Sequence, residues 1–194
     1  MASVLPIDEL NQLQISIESV MEDGGLSPEQ KKKLIRDDIE EYYIMCYLMG
    51  VEQTENNFKK EYKPNEDKMF SAVYKKYEYP EEEKKEQDFV DRISKYVEEE
   101  NVGGLKNLAD TGMTRLFSTG AWDAAESFGG GGRKRWRTME DDRVRPTHEA
   151  LDGVRVPRED RFYTIDGDSA RFPGDFADAN NNCNCRCWID ILPE

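Results

Sequence analysis

The residues most able to do chemistry lie near the C-terminal end of the sequence, where three of the four cysteines occupy alternate positions. Cys183, Cys185 and Cys187 are each two residues apart, so on an extended strand their thiols would point to the same face. A disulfide between residues two apart would close a small, strained ring. Neighbouring thiols instead favour a soft metal ion such as zinc, which then needs further ligands.

The single histidine, His148, is the first candidate to join these thiols. Together with Cys185, Cys187 and either Asp141 or Cys183, it would complete a four-ligand structural zinc site. The spacing matches none of the standard two-pair zinc motifs. Two alternatives therefore stay open, namely reduced cysteines that pack a C-terminal strand and a disulfide to a distant partner. A Cys–His nucleophile pair is conceivable, but we assign no catalytic residue.

Charge is distributed unevenly along the chain. The net charge is -14, and residues 1–100 carry 25 acidic and 14 basic side chains. Because contact with phosphates needs an excess of Lys and Arg, a nucleic-acid surface is not expected in this half. The basic segment GGRKRWR at 131–137 could touch phosphates. The acidic EDD that follows it favours a strand start with solvated arginines.

Helical periodicity dominates the first hundred residues. It predicts a helix through Leu10 to Val20, and a second from the capping box of Ser27 and Gln30 to Gly50. A third helix is expected from Met69 to Tyr77 and a fourth, after Pro80, from Phe89 to Val97. We expect Cys46 to be a buried apolar filler. The run Glu81–Glu83 is either a solvated face or part of an acidic contact.

The pattern changes in the second half. After NVGG at 101–104, a helix is predicted to about residue 128, weakened by Gly112 and Gly120. The run Gly129–Gly132 indicates a flexible joint, and short alternating segments with turn residues follow it. The sequence thus predicts an α+β protein with a helical module at 1–105 and a small α+β module with short irregular strands at 106–194.

Targeting signals are not recognised in the sequence. No apolar run approaches the roughly 20 residues of a membrane helix, and the first residues lack the basic and apolar regions of a signal peptide. We therefore expect a soluble protein that is kept in a cytoplasm or packed into a particle assembled there.

Fifteen residues of the second half form a motif by their order and spacing. They are Trp136, Asp141, Val144, Arg145, His148, Leu151, Gly153, Pro157, Phe162, Pro173, Gly174, Asn184, Cys185, Arg186 and Cys187. Through them the segment from about residue 110 to 188 resembles the phage Mu F-like head morphogenesis family of minor capsid proteins. The extra Cys183 and the glycine run depart from the family pattern.

The resemblance implies a protein present in few copies in the virion of a tailed phage, inside the capsid near the portal, and in the host cytoplasm during assembly. Its partners would be the portal and the major capsid or scaffolding protein, with transient contact to packaged DNA and none with a membrane. It would assist head assembly, genome packaging or DNA delivery. The helical module would dock on the portal, and the closing NCRC segment would fold back to meet Asp141 to His148.

Two other function classes remain. The family domain is also distantly similar in fold to ADP-ribosyltransferases, but the matching region has no Glu-x-Glu pair, and we carry over no activity. A zinc-stabilised nucleic-acid adaptor would use Arg133 to Arg145, and the net charge of -14 disfavours it. We therefore favour a structural protein that acts by binding and is not an enzyme.

Overall fold

The computed structural model describes residues 5–74, 89–129 and 132–193. Its elements in chain order are α1 (Ile7–Glu22), α2 (Pro28–Phe58), α3 (Glu66–Val73), α4 (Phe89–Glu98), α5 (Val102–Ser127), β1 (Arg133–Arg137), α6 (Pro146–Glu149), β2 (Arg155–Pro157), β3 (Phe162–Tyr163), β4 (Ser169–Ala170), α7 (Ala179–Asn182) and β5 (Trp188–Leu192). Helices followed by a few short antiparallel strands confirm the predicted α+β class.

Several predicted features fall on residues that are not described. They are Tyr77, Pro80, Glu81–Glu83 and two glycines of the run 129–132.

The two long helices follow from identifiable local signals. The side chains of Ser27 and Gln30 form the predicted capping box at the start of α2. This helix does not end at Gly50, as the sequence predicted, but continues to Phe58, where Lys59 adopts a left-handed conformation with φ 52°. The predicted interruption near NVGG is confirmed, because α4 ends at Glu98 and α5 begins at Val102. Helix α5 starts within NVGG rather than after it, since the Asn101 side chain accepts a hydrogen bond from the Gly104 N–H at 2.8 Å and caps the helix.

Helix α5 belongs to two hydrophobic clusters. Leu116, Phe117 and Ala124 pack in the cluster formed by α1–α4, whereas Ala121 and Ala125 pack against the strands. Cys46 is fully buried in the helical cluster, which confirms its predicted role as an apolar filler. Residue 105 lies in the first turn of α5, and the division into modules 1–105 and 106–194 stays a prediction.

The strands form two small antiparallel sheets. One has the order β2-β1-β5, and the other pairs β3 with β4. In the larger sheet, Trp136 of β1 lies opposite Ile189 of β5, and Arg137 lies opposite Trp188. This register places the residues just before β5 beside the chain that leaves β1.

Helices α2 and α5 cross in close backbone contact at two glycines. A Cβ on Gly50 would lie 1.9 Å from the carbonyl oxygen of Phe117, and one on Gly120 would lie 2.0 Å from that of Tyr47. Such distances are far below van der Waals contact, so neither position accepts a side chain without separating the helices. The glycines that weaken α5 by propensity are therefore the residues that let α2 pack against it.

Replacing Gly120 with alanine is expected to destabilise the protein by about 2 kcal/mol. The clash is with backbone, so the cost of overpacking should lie near its upper end of about 3 kcal/mol, and the gain in helix propensity offsets about 1 kcal/mol of it. The matched control is Gly103→Ala in the same helix, where the added Cβ would meet only the Asn101 side chain at 3.7 Å. Urea unfolding followed by circular dichroism measures both. Equal stability of the two variants would show that the close crossing is not needed.

Candidate metal centre

Three predicted ligands come together because the sheet register and one short helix bring distant segments side by side. His148 lies in α6, which begins at Pro146, and Cys185 and Cys187 precede β5. The pairing of β5 with β1 carries the cysteines to the segment that follows β1. As a result, side chains 37 and 39 positions apart in sequence become neighbours.

The donor atoms are close and shielded from solvent. His148 Nδ1 lies 3.5 Å from Cys185 Sγ and 3.6 Å from Cys187 Sγ. Within the described residues, these three side chains form a group whose ligand atoms all lie within 4.8 Å of one another. Each of the three residues is at most 2% exposed. A substrate therefore has no access to this imidazole or these thiols, which argues against the Cys–His nucleophile.

Aromatic rings fix the orientation of the imidazole. The His148 ring stacks on Phe176 with 5.2 Å between centroids and an interplanar angle of 19°. Trp136 meets it nearly edge-on at 5.6 Å and 74°. His148 Nε2 is buried without a hydrogen-bond partner among the described residues. Packing rather than a hydrogen bond thus aims Nδ1 at the two sulfurs.

The two thiols are electrostatically unequal. The pKa of Cys185 is held well below its usual range, chiefly because the Cys187 thiol donates a hydrogen bond to its sulfur. Burial opposes this effect, and His148 lowers the pKa further. The pKa of Cys187 is raised for the matching reasons, namely its bond to Cys185 and its burial. The arrangement thus favours one thiolate, the form in which cysteine binds metals.

The spacing of the donors fits a metal of the size of zinc. With Zn–S near 2.3 Å and Zn–N near 2.0 Å, tetrahedral geometry places sulfur and nitrogen ligands about 3.5 Å apart. The observed 3.5 and 3.6 Å are close to that separation. The residues present can therefore supply three ligands, and no fourth Asp, Glu, His or Cys of the described residues joins them.

The two residues named as alternatives for the fourth ligand lie elsewhere. The Asp141 carboxylate forms an ion pair with Arg186. Burial of Asp141 opposes ionisation, but the hydrogen bond from Arg186 lowers the carboxyl pKa overall. Cys183 is exposed, because the chain turns between it and Cys185 at Asn184, which has a φ of 52°. A strand geometry that would align all three cysteines is therefore absent, and β5 begins only at Trp188.

Three polar side chains, two of them outside the sequence motif, hold the cysteine segment in place. Thr114 of α5 donates its hydroxyl to the Cys185 carbonyl at 2.5 Å, and Thr111 accepts the Asn184 N–H at 3.3 Å. Arg145 donates to the carbonyl oxygens of Cys183 and Asn181 at 2.5 and 3.3 Å. Only Arg145 belongs to the motif, and helical periodicity gave no sign that the two threonines face the C-terminal segment.

The motif residues therefore have structural roles. Trp136, Leu151, Phe162, Cys185 and Cys187 lie in the core of the strand-containing half. Gly174 has a φ of +88°, and a Cβ there would lie 2.8 Å from the Arg115 Cβ, so only glycine fits. The motif thus specifies how the domain packs around the His–Cys group.

The described residues contain no helix with the length and apolar character needed to cross a membrane.

Comparison with known proteins gives two partial matches to curated relatives. The chain is 32% identical over 101 residues to NAD(+)--arginine ADP-ribosyltransferase EFV from Enterococcus faecalis, which covers 49% of this chain and 20% of that protein. It is 36% identical over 57 residues to minor head protein GP7 of Bacillus phage SPP1, covering 29% of this chain and 18% of that protein. The chain thus spans about a fifth of the length of each. No solved structure matches significantly.

The family comparison covers more of the chain. The model of the family described as phage Mu protein F like protein matches residues 84–190, which is more than half of the sequence. This range contains α4 and α5, strands β1 to β4, the first three residues of β5 and every residue of the His–Cys group. The chain belongs to the phage Mu protein F-like family.

Proposed function

We propose that this chain is a minor capsid protein that takes part in head morphogenesis of a tailed phage. The observation that carries the proposal is membership of the phage Mu protein F-like family, together with the match to a minor head protein. Burial of the motif residues supports a role in packing and binding rather than turnover. The protein would reside inside the capsid near the portal, and in the host cytoplasm during assembly.

The portal is the proposed main partner, reached mostly through residues 1–105. This part carries the larger share of the acidic residues, which suits association steered by a basic partner surface. It also exposes large apolar side chains, namely Ile15, Leu34, Leu48 and Phe70. Contacts with the major capsid or scaffolding protein, and transient contact with packaged DNA, belong to the same proposal.

The second candidate is an ADP-ribosyltransferase-related enzyme, and the observation that favours it is the match to the Enterococcus protein. That match covers a fifth of the transferase, and the segment of this chain that carries the family motif, from about residue 110 to 188, contains no Glu-x-Glu pair. The transferase activity is therefore not assigned to this chain. ADP-ribosyl transfer is the alternative that the portal-binding experiment below must exclude.

We further propose that His148, Cys185 and Cys187 bind one structural zinc ion. The donor spacing supports it, as does a cysteine whose pKa is already lowered. Bound zinc would cross-link α6 to the segment before β5. Because a metal bound only by the folded chain adds its binding energy to folding, it would stabilise a domain whose own core is small.

Portal binding is tested with the full-length chain and the portal of the same phage. Ile15→Ser or Leu48→Ser should weaken binding about fivefold or more if either side chain lies in the interface. The control is Ile165→Ser, which alters an exposed apolar residue of the C-terminal half. Calorimetry gives the dissociation constants.

Failure of the full-length protein to bind portal or procapsids would contradict the head-assembly proposal. Transfer of label from NAD to a host protein would then favour the enzyme.

Zinc binding is tested on the purified full-length protein by elemental analysis and thermal unfolding. We expect about one zinc per chain, and chelation should lower Tm by about 5 °C, the equivalent of roughly 2 kcal/mol. Cys187→Ser should lose the metal, whereas Cys183→Ser, which alters the exposed cysteine, should retain it. A metal-free protein whose Tm is unmoved by chelator would identify the group as packed thiols.

A further inference from the structure

A second group of basic side chains surrounds one indole ring. Trp122 lies in α5, and three cations approach its ring. The Lys134 Nζ is 5.0 Å from the ring centroid, and the guanidinium carbons of Arg158 and Arg171 are 5.1 and 5.9 Å from it. Lys134 lies in β1, Arg158 directly follows β2, and Arg171 directly follows β4. Separate segments thus bring positive charge to one place.

Two of these cations are buried without sufficient partners. Lys134 is 0% exposed and Arg158 is 8% exposed. Lys134 Nζ has no hydrogen-bond partner among the described residues, and neither do Nε and Nη1 of Arg158. The sequence predicted a strand start with solvated arginines here, but the alternation of β1 turns Lys134 inward on the same face as Trp136.

The nearby carboxylates do not neutralise the group. Glu159 binds the remaining nitrogen of Arg158, Nη2, at 2.6 Å, and it lies at the surface. Asp175 binds Arg171 at 3.0 Å and lies 3.9 Å from Arg161. Burial is the main reason that the pKa of Lys134 falls to about 8. The negative charges of Glu159 and Asp160 raise this pKa in part, whereas the positive charges of Arg171 and Arg161 lower it further.

Aromatic contact alone does not satisfy these groups. Lys134 lies over Trp122 and, at 5.2 Å, over Phe162, and such contacts offset part of the cost of burying a charge. They provide no acceptor oxygen for the N–H groups of Lys134 and Arg158. Buried donors without acceptors are rare in native proteins, and a small anion has the acceptor oxygens that these N–H groups need.

We propose that Lys134 and Arg158 form a binding site for a small tetrahedral oxyanion such as inorganic phosphate, with Arg171 at its outer side. The oxyanion would accept hydrogen bonds from the ammonium and from the guanidinium fork at once. A duplex backbone is a poor ligand, because Lys134 is wholly buried and the chain carries a net charge of -14. The bound ion would join α5, β1 and the two following loops.

The test uses full-length protein, with inorganic phosphate compared against chloride at equal ionic strength. About 20 mM phosphate should raise Tm by about 3 °C, and calorimetry should give one site. Lys134→Met should abolish that shift or weaken binding about tenfold or more. It should also raise Tm without phosphate, because it removes an unpaired buried charge.

The matched control is Lys60→Met, which removes an exposed lysine that also lies over an aromatic ring, 5.7 Å from Phe128. It should leave the phosphate shift intact. If Lys134→Met does not fold, Arg158→Gln replaces it and should weaken phosphate binding by a similar factor.

Four results would overturn the proposal. The first two are no phosphate-dependent shift in the wild type, and a shift that persists in Lys134→Met or Arg158→Gln. The third is displacement of phosphate by a 20-base-pair duplex at an equal total concentration of phosphate groups. The fourth is binding of an acidic peptide by a protein that does not bind phosphate, which would assign the site to a partner's carboxylate.

Discussion

The strand-containing half depends on one buried arrangement, in which an imidazole is held between aromatic rings and points at two thiols. His148 stacks on Phe176 and meets Trp136 edge-on, and both sulfurs lie within 3.6 Å of its Nδ1. These side chains come from α6, β1, the loop before α7 and the segment before β5. Because the strands are only two to five residues long, their ladders cannot hold such loops together alone.

The same half rests on the helices rather than standing apart from them. At the C-terminal end of α2, the Gln53 amide donates to Asp190 at 2.7 Å, and Asn57 donates to the Ile191 carbonyl at 3.0 Å. Helix α5 packs on α2 through paired glycines and receives the cysteine segment on its other side through Thr114. The last strand and the segment before it are thus held by side chains of both long helices.

Local signals predicted much of this fold, and contacts between distant residues account for what they missed. The capping box of Ser27 and Gln30 marked the start of α2 because both partners lie within one turn. Its end was placed wrongly at Gly50, since the reason for that glycine is a backbone on α5. Approach of His148 to Cys185 and Cys187 was predicted from residue types, because few side chains suit a soft metal.

Asp141 shows the limit of that reasoning. Its carboxylate was a plausible ligand by chemistry, but Arg186, between the two cysteines, binds it instead. The burial of Lys134 was missed for a related reason, since an acidic run nearby in sequence suggested a solvated surface. Lys134 is buried because β1 pairs with β5 and because the rings of Trp122 and Phe162 pack against its side chain. These contacts join residues from distant parts of the chain, so the local sequence does not predict them.

The central claim is that the His–Cys group is a metal centre, and zinc-edge X-ray absorption on the purified full-length protein tests it most directly. The account predicts two sulfur ligands at about 2.3 Å and at least one nitrogen ligand at about 2.0 Å. The sulfur contribution should fall to one in Cys187→Ser if any metal is retained. A protein without metal, or a zinc ion surrounded only by oxygen and nitrogen, would contradict it.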